Sequence, residues 1–175
     1  APAAPLAPAE RRGWEGAPAV AVFSSPWFPN REGVRWFLRD VWPGVLAALP
    51  GARLHVFGAQ GPGAGPGIRT HAAPDDNEAL FASDAVLVVP LRLGSGVRIR
   101  ILDAWARRMP VIATPAAAAG LGVTDGDGVR LAETPQQFAS ALAELHGSAQ
   151  AWQALVEQGE RLLRARHDPD HLARA

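Results

Sequence analysis

Cysteine is missing from all 175 residues, which excludes disulfides, thiolate zinc sites and thiol catalysis and fits a reducing compartment. Lysine is missing too: the 17 cationic side chains are all arginine. Genomic composition explains that bias, so the total carries no functional weight. Neither charge is in excess, with 17 Arg against 17 acidic residues, and the chain is therefore not built to hold a polyanion such as DNA. Apolar runs stop well short of the ~20 residues needed to cross a bilayer. The N-terminus lacks the charged-then-apolar pattern of a signal peptide. Cytoplasmic residence is the expectation, with peripheral contact at the inner face of a membrane as its variant. The sequence opens on Ala1 rather than Met, so a piece of a longer protein is expected.

What is present supports a packed core. The hydrophobic fraction is 48%, and the length suits one well-buried domain rather than two. Residues 1–17, APAAPLAPAERRGWEGA, show no helical or strand period and read as a linker or tail. Residues 18–175 read as the folded domain.

Within it, strands and helices alternate. Ala19–Phe23, Arg53–Phe57, Ile68–His71, Ala85–Val89, Pro110–Ala113 and Val129–Leu131 read as strands, short and apolar with β-branched residues. Arg31–Leu49 has helical spacing, with Pro43 expected to kink it. Further helices are expected over Asp75–Ala82, from the glycines near Gly94 to about Arg108, and over Pro135–Leu145 and Ala149–Arg166. Such a pattern predicts a single doubly wound, Rossmann-like α/β domain with helices on both faces of a parallel sheet. Sheets of this kind bind ligands beyond the carboxyl ends of their strands, which puts the loops after Phe23, Phe57, Val89 and Ala113 on one rim.

The stretch RLGSGVRIRILDAW, starting at Arg92, follows the most secure strand and opens a helix. Gly94 and Gly96 around Ser95 let the backbone turn and let a ligand approach without a Cβ in the way. The first N–H groups of a helix lack internal partners and face the positive end of its dipole, so phosphate is a natural occupant. Arg98 and Arg100 would add charge-assisted hydrogen bonds. Leu91–Pro110 holds five Arg against one Asp, a local excess in a neutral protein. The spacing matches neither GxGxxG nor GxxxxGK[ST]. The alternative is a helix capped by Ser95 with solvated arginines. Asp103, three residues after Arg100 and four before Arg107, suits surface ion pairs worth ~0.3–0.5 kcal/mol.

The run VVPLRLGSGVRIRILDAWARRMPVIATPAAAAGLGVTDGDGV resembles the nucleotide-binding half of the group 1, family 4 glycosyltransferases of the GT-B fold. Their pattern there is close to "vPlrlGsGtRlKilEAmAlGkPVVaT…EGl…dG". The earlier FSSPWFPNREGVRWFLRDVWPGVLAALPGARLHVFGA resembles the same branch. That resemblance implies roles. Gly94, Ser95, Gly96 and Val97 would hold a donor diphosphate through backbone amides, with Arg98 and Arg100 on phosphate. Asp103, where the family has Glu, would accept from the ribose hydroxyls. Gly120 and Leu121 would lie near the donor's sugar and phosphate. Ser24, Ser25 and Asn30 would face the cleft from its rim, and the loop at His71 would lie by the base. Arg108 and Ala119 stand where the family has Gly and an acidic residue.

A nucleotide sugar is thus the expected ligand and substrate. No cofactor and no metal are expected, because arginines and a helix N-terminus can neutralise the diphosphate and no carboxylate cluster suits Mg²⁺. The resemblance places the acceptor site on an N-terminal domain outside these residues, so the isolated chain is expected to bind a donor and transfer nothing. Two other readings stand: a degenerate domain kept for packing or protein interaction, and another doubly wound ligand binder. His55 reads as a core or edge histidine. Trp27, Trp36, Trp42, Trp105 and Trp152 read as packing residues, Trp14 as a tail residue free to touch another domain, and Asp125–Gly128 as a turn.

Overall fold

The structure, a computed structural model, describes residues 14–58, 65–73, 84–94 and 98–166. Six short strands form one parallel sheet: β1 Ala19–Phe23, β2 Arg53–Phe57, β3 Ile68–His71, β4 Val86–Val89, β5 Val111–Ala113 and β6 Arg130–Leu131. Their order is β3-β2-β1-β4-β5-β6. Side chains alternate between the faces of a strand, and here both faces are buried, which is why β1 and β4 are apolar throughout. Val20, Val22, Leu54, Val56, Val86, Val88 and Ile112 enter one core; Ala21, Phe57, Leu87, Val89 and Val111 enter the other.

Over the first core lie α1 Phe28–Trp36, a π-helical turn Phe37–Val41 and α2 Trp42–Ala48. They run where one kinked helix is expected, starting three residues earlier. Pro43 cannot donate a backbone N–H, and the chain absorbs the missing bond by widening before it: the Trp42 N–H reaches back to the Phe37 carbonyl. The second core is covered by α3 Arg98–Ala106, by a short α4 Pro115–Ala118, and by the end of α6 Ala149–Arg166. Helix α5 Pro135–Gly147 joins the first core and starts with a capping box between Thr134 and Gln137.

Three expectations need correction. Residues 115–118, read as loop, form α4, because Thr114 accepts from the Ala117 N–H and Pro115 suits a first helical turn. Trp14 is no free tail residue: its ring packs on His55, Phe57 and His71 with centroids 4.9–5.2 Å away. Trp27 is 45% exposed rather than packed. Asp75–Ala82 lies outside the described residues. Among the described residues, no helix is long and apolar enough to cross a membrane.

Candidate functional site

Strand order reverses between β1 and β4, since β1 continues to β2 on one side while β4 continues to β5 on the other. In sheets of this kind the loops leaving such a pair of carboxyl ends diverge, and the crevice that takes a ligand lies between them. Ser24, Ser25 and Asn30 lie on the loop and helix start after β1; Gly94 lies on the loop after β4. The two segments touch: a Cβ on Gly94 would sit 3.5 Å from the Trp27 ring and 3.6 Å from Pro29. Gly94 has φ +81°, a left-handed backbone open to glycine at little cost. Ser95, Gly96 and Val97 lie outside the described residues. Arg98 begins α3.

The β1 side is held rigid from within. The Asn30 amide accepts from the Ser25 N–H at 2.7 Å and donates to the Phe23 carbonyl at 3.1 Å, so its polar atoms brace the turn. Ser24 is buried, with its N–H on the Phe57 carbonyl at 2.7 Å. Gly33 lets α1 lie against β4's exit: a Cβ there would meet the Pro90 carbonyl oxygen at 2.3 Å.

Arg100, in the first turn of α3, reaches across the crevice, and its guanidinium carbon stands 3.9 Å from the Phe23 ring centroid at the end of β1. That is cation–π distance. Burial pushes its pKa down, and nearby Asp103 pushes it back up. Asp103 follows one turn later, half-buried. Burial pushes its carboxyl above the ordinary range, opposed first by Arg107 and then by Arg100. Among the described residues, no ion pair forms within 4.0 Å of its carboxylate. Among the described residues, then, this carboxylate is partly desolvated and lies near two cations without a close ion pair.

Farther along the rim, Thr114 follows β5. Its buried hydroxyl donates to the Leu91 carbonyl while accepting from the Ala117 N–H at 3.2 Å. One side chain thus caps α4 and ties the β5 loop to the segment that carries Gly94. Its signal in the sequence, Thr before Pro after a strand, was available. Beyond α4, Gly120 and Gly122 have φ +85° and +65° around a buried Leu121.

His71 ends β3 as expected, but its ring is engaged inward. Its Nε2 lies 2.9 Å from Nδ1 of buried His55, and its face stacks on Phe57 with centroids 4.6 Å apart. His55 Nε2 faces the Glu15 carbonyl at 2.7 Å. A carbonyl only accepts, so in the neutral pair His55 donates through Nε2 and His71 donates to His55 Nδ1. The Asp125–Gly128 turn is closed by Asp127, which accepts from the Thr124 N–H and hydroxyl, and by Asp125, which accepts from the Leu131 N–H. Among the described residues, no group of three or more His, Cys, Asp and Glu could hold a metal ion.

Comparison with known proteins gives the family. The family model described as glycosyl transferases group 1 matches residues 18–148. An uncharacterised 44.6 kDa protein in the cps region of Klebsiella pneumoniae is 27% identical over 124 residues, 63% of this chain and 32% of that protein. The chain thus spans about a third of that curated relative. The C-terminal domain of LpcC, a glycosyl transferase group 1 family protein of Francisella tularensis, superposes with a TM-score of 0.68 at 18% identity, covering 89% of this chain and 88% of that one. HepE of Anabaena, solved with UDP and glucose, gives 0.68 at 16% identity over 89% of this chain and 47% of its own. At these identities the superpositions establish the fold.

Proposed function

Because the chain belongs to the group 1 glycosyl transferases, we propose that it is the donor-binding half of such an enzyme and takes a nucleoside diphosphate sugar at the β1–β4 crevice. One observation carries the reading. A left-handed glycine after β4 leads into a helix whose first turn sets Arg100 against the end of β1, with a half-buried carboxylate one turn on. The amides of the Gly94–Val97 loop, with Arg98 and Arg100, take the diphosphate. As the glycosidic bond breaks, negative charge grows on that diphosphate, and donors already in place stabilise it without reorganising. No metal is required for that role. Asp103, ionised, accepts from the ribose hydroxyls, and the turn at Gly120 and Leu121 lies toward the sugar.

The UDP and glucose held by HepE support a nucleotide sugar as the ligand class. The acceptor is assigned to a second domain, a reading supported by the chain's spanning only 47% of HepE. Calorimetric titration with UDP, GDP, ADP and dTDP tests the reading. One of them binds saturably, and Arg100→Ala weakens it about 10- to 100-fold, the worth of a charge-assisted hydrogen bond at ~1.5–3 kcal/mol. A chain that binds none of the four has another job.

A further inference from the structure

We propose that Arg166, at the end of α6, is a positioning residue for the donor's sugar, holding the Gly120–Gly122 turn in its ligand-ready shape. The inference rests on the reading of the crevice as a nucleotide-sugar site. It starts from a weakness in the turn. Gly120 and Gly122 both sit at positive φ, where glycine moves most freely, and two such pivots around one residue would let the turn wander. Leu121 anchors it from below with a side chain only 4% exposed. From the other side, Arg166 donates through Nη1 to the Leu121 and Gly122 carbonyls at 3.3 and 3.1 Å. One nitrogen makes both contacts, and its planar NH2 holds two N–H groups in a fixed geometry that a rotating ammonium lacks.

The clamp has a firm base. Seven residues earlier, the Gly159 backbone lies so close to the Trp105 ring that a Cβ there would stand 2.5 Å from it. Glu160 pairs with Arg108 just past α3. Helix α6 is therefore fixed against α3, the helix that carries Arg100 and Asp103, and its end reaches the turn. Two parts of the crevice separated in sequence are registered against one helix.

The test compares a nucleotide with its sugar-linked form, UDP against UDP-glucose or the matching pair that the titration selects. Arg166→Ala weakens the nucleotide sugar about three- to tenfold and leaves the bare nucleotide within about twofold, a split of up to one decade in Kd. Arg166→Lys falls between. Arg164→Ala, which removes only an exposed pair to Glu160, matches the wild type. Amide exchange at residues 121–123 accelerates in Arg166→Ala at an unchanged thermal midpoint. Equal weakening of both ligands, no weakening of either, or unchanged exchange overturns the clamp while the donor-binding reading stands. A wild-type chain that binds neither ligand removes that reading, and the inference with it.

Discussion

Single residues here hold two kinds of charge problem. Arg100 and Asp103 are partly desolvated and shifted toward their neutral forms by burial; Asp103 draws Arg100 back, while Arg107 and then Arg100 draw Asp103 back. His71 has a different environment. Burial first, and then neighbouring His55, push its imidazole below its ordinary value of 6.5. The unfolded chain therefore takes up the proton at higher pH than the folded one. The stability that neutral His71 contributes is whole above about pH 6.5 and is lost as pH falls from there through the folded value. Thermal midpoints between pH 7.5 and 5 should drop in the wild type and drop less in His71→Gln, which keeps a donor for His55. Equal slopes would show that His71 is not the acid-sensitive group. Asp103 was legible as chemistry but not as environment: spacing offered surface pairs with Arg100 and Arg107, and only packing shows how far its carboxylate is buried.

Elements meet here through small residues. Trp105 of α3 donates its indole N–H to the Gly128 carbonyl at 2.8 Å and packs closely against Gly159 of α6. Gly159→Ala therefore drives a methyl into a fully buried ring. It should lower stability by about 1–3 kcal/mol in denaturant unfolding, although alanine outranks glycine as a helix former. A neutral or stabilising result would mean the two helices can slide apart. The end of α3 shows the opposite economy. Arg108 has φ +56°, and its N–H and that of Met109 bond the Trp105 and Ala104 carbonyls in the pattern that usually closes a helix on glycine. The resemblance placed Gly at this position. Arg108 accepts the strain and gains Glu160 as a partner, a trade that no local rule announces. Likewise, helical spacing over 31–49 revealed a long helix with a proline inside it. Whether the chain would bend, break or widen at Pro43 depended on the core beneath.

For the whole molecule, the deciding feature is the reversal of strand order between β1 and β4. It creates the crevice, and Gly33 determines how tightly the two sides close over it. Gly33→Ala places a Cβ 2.3 Å from the Pro90 oxygen, which must push α1 off the exit of β4. Stability should fall by about 1–3 kcal/mol, and affinity for the nucleotide selected above should fall with it, since the Gly94 segment leaves from the same place. Lost stability with unchanged affinity would show that the crevice tolerates that shift. The N-terminal segment also belongs to the molecule as a whole. Trp14 and Glu15 close over β2 and β3, and Glu15 reaches Arg69 at 3.8 Å as well as His55. Composition gave no hint of this, because packing of a lone tryptophan has no sequence period.

The amino-acid sequence by itself determined the class of fold, the alternation of elements and the rim on which a ligand would sit. Those follow from local signals: apolar runs that must be buried on both faces, glycines before a helix, and a family pattern running through both. It also named the residues expected at the crevice. Tertiary structure alone decided which polar atoms around it are committed to distant partners. Asn30 braces a turn, His71 faces inward, Thr114 ties two loops together, and Arg166 reaches across 44 positions to the Gly122 carbonyl. Each of these depends on which distant carbonyl or ring the folded sheet brings within hydrogen-bonding or stacking distance, and local sequence holds no record of that.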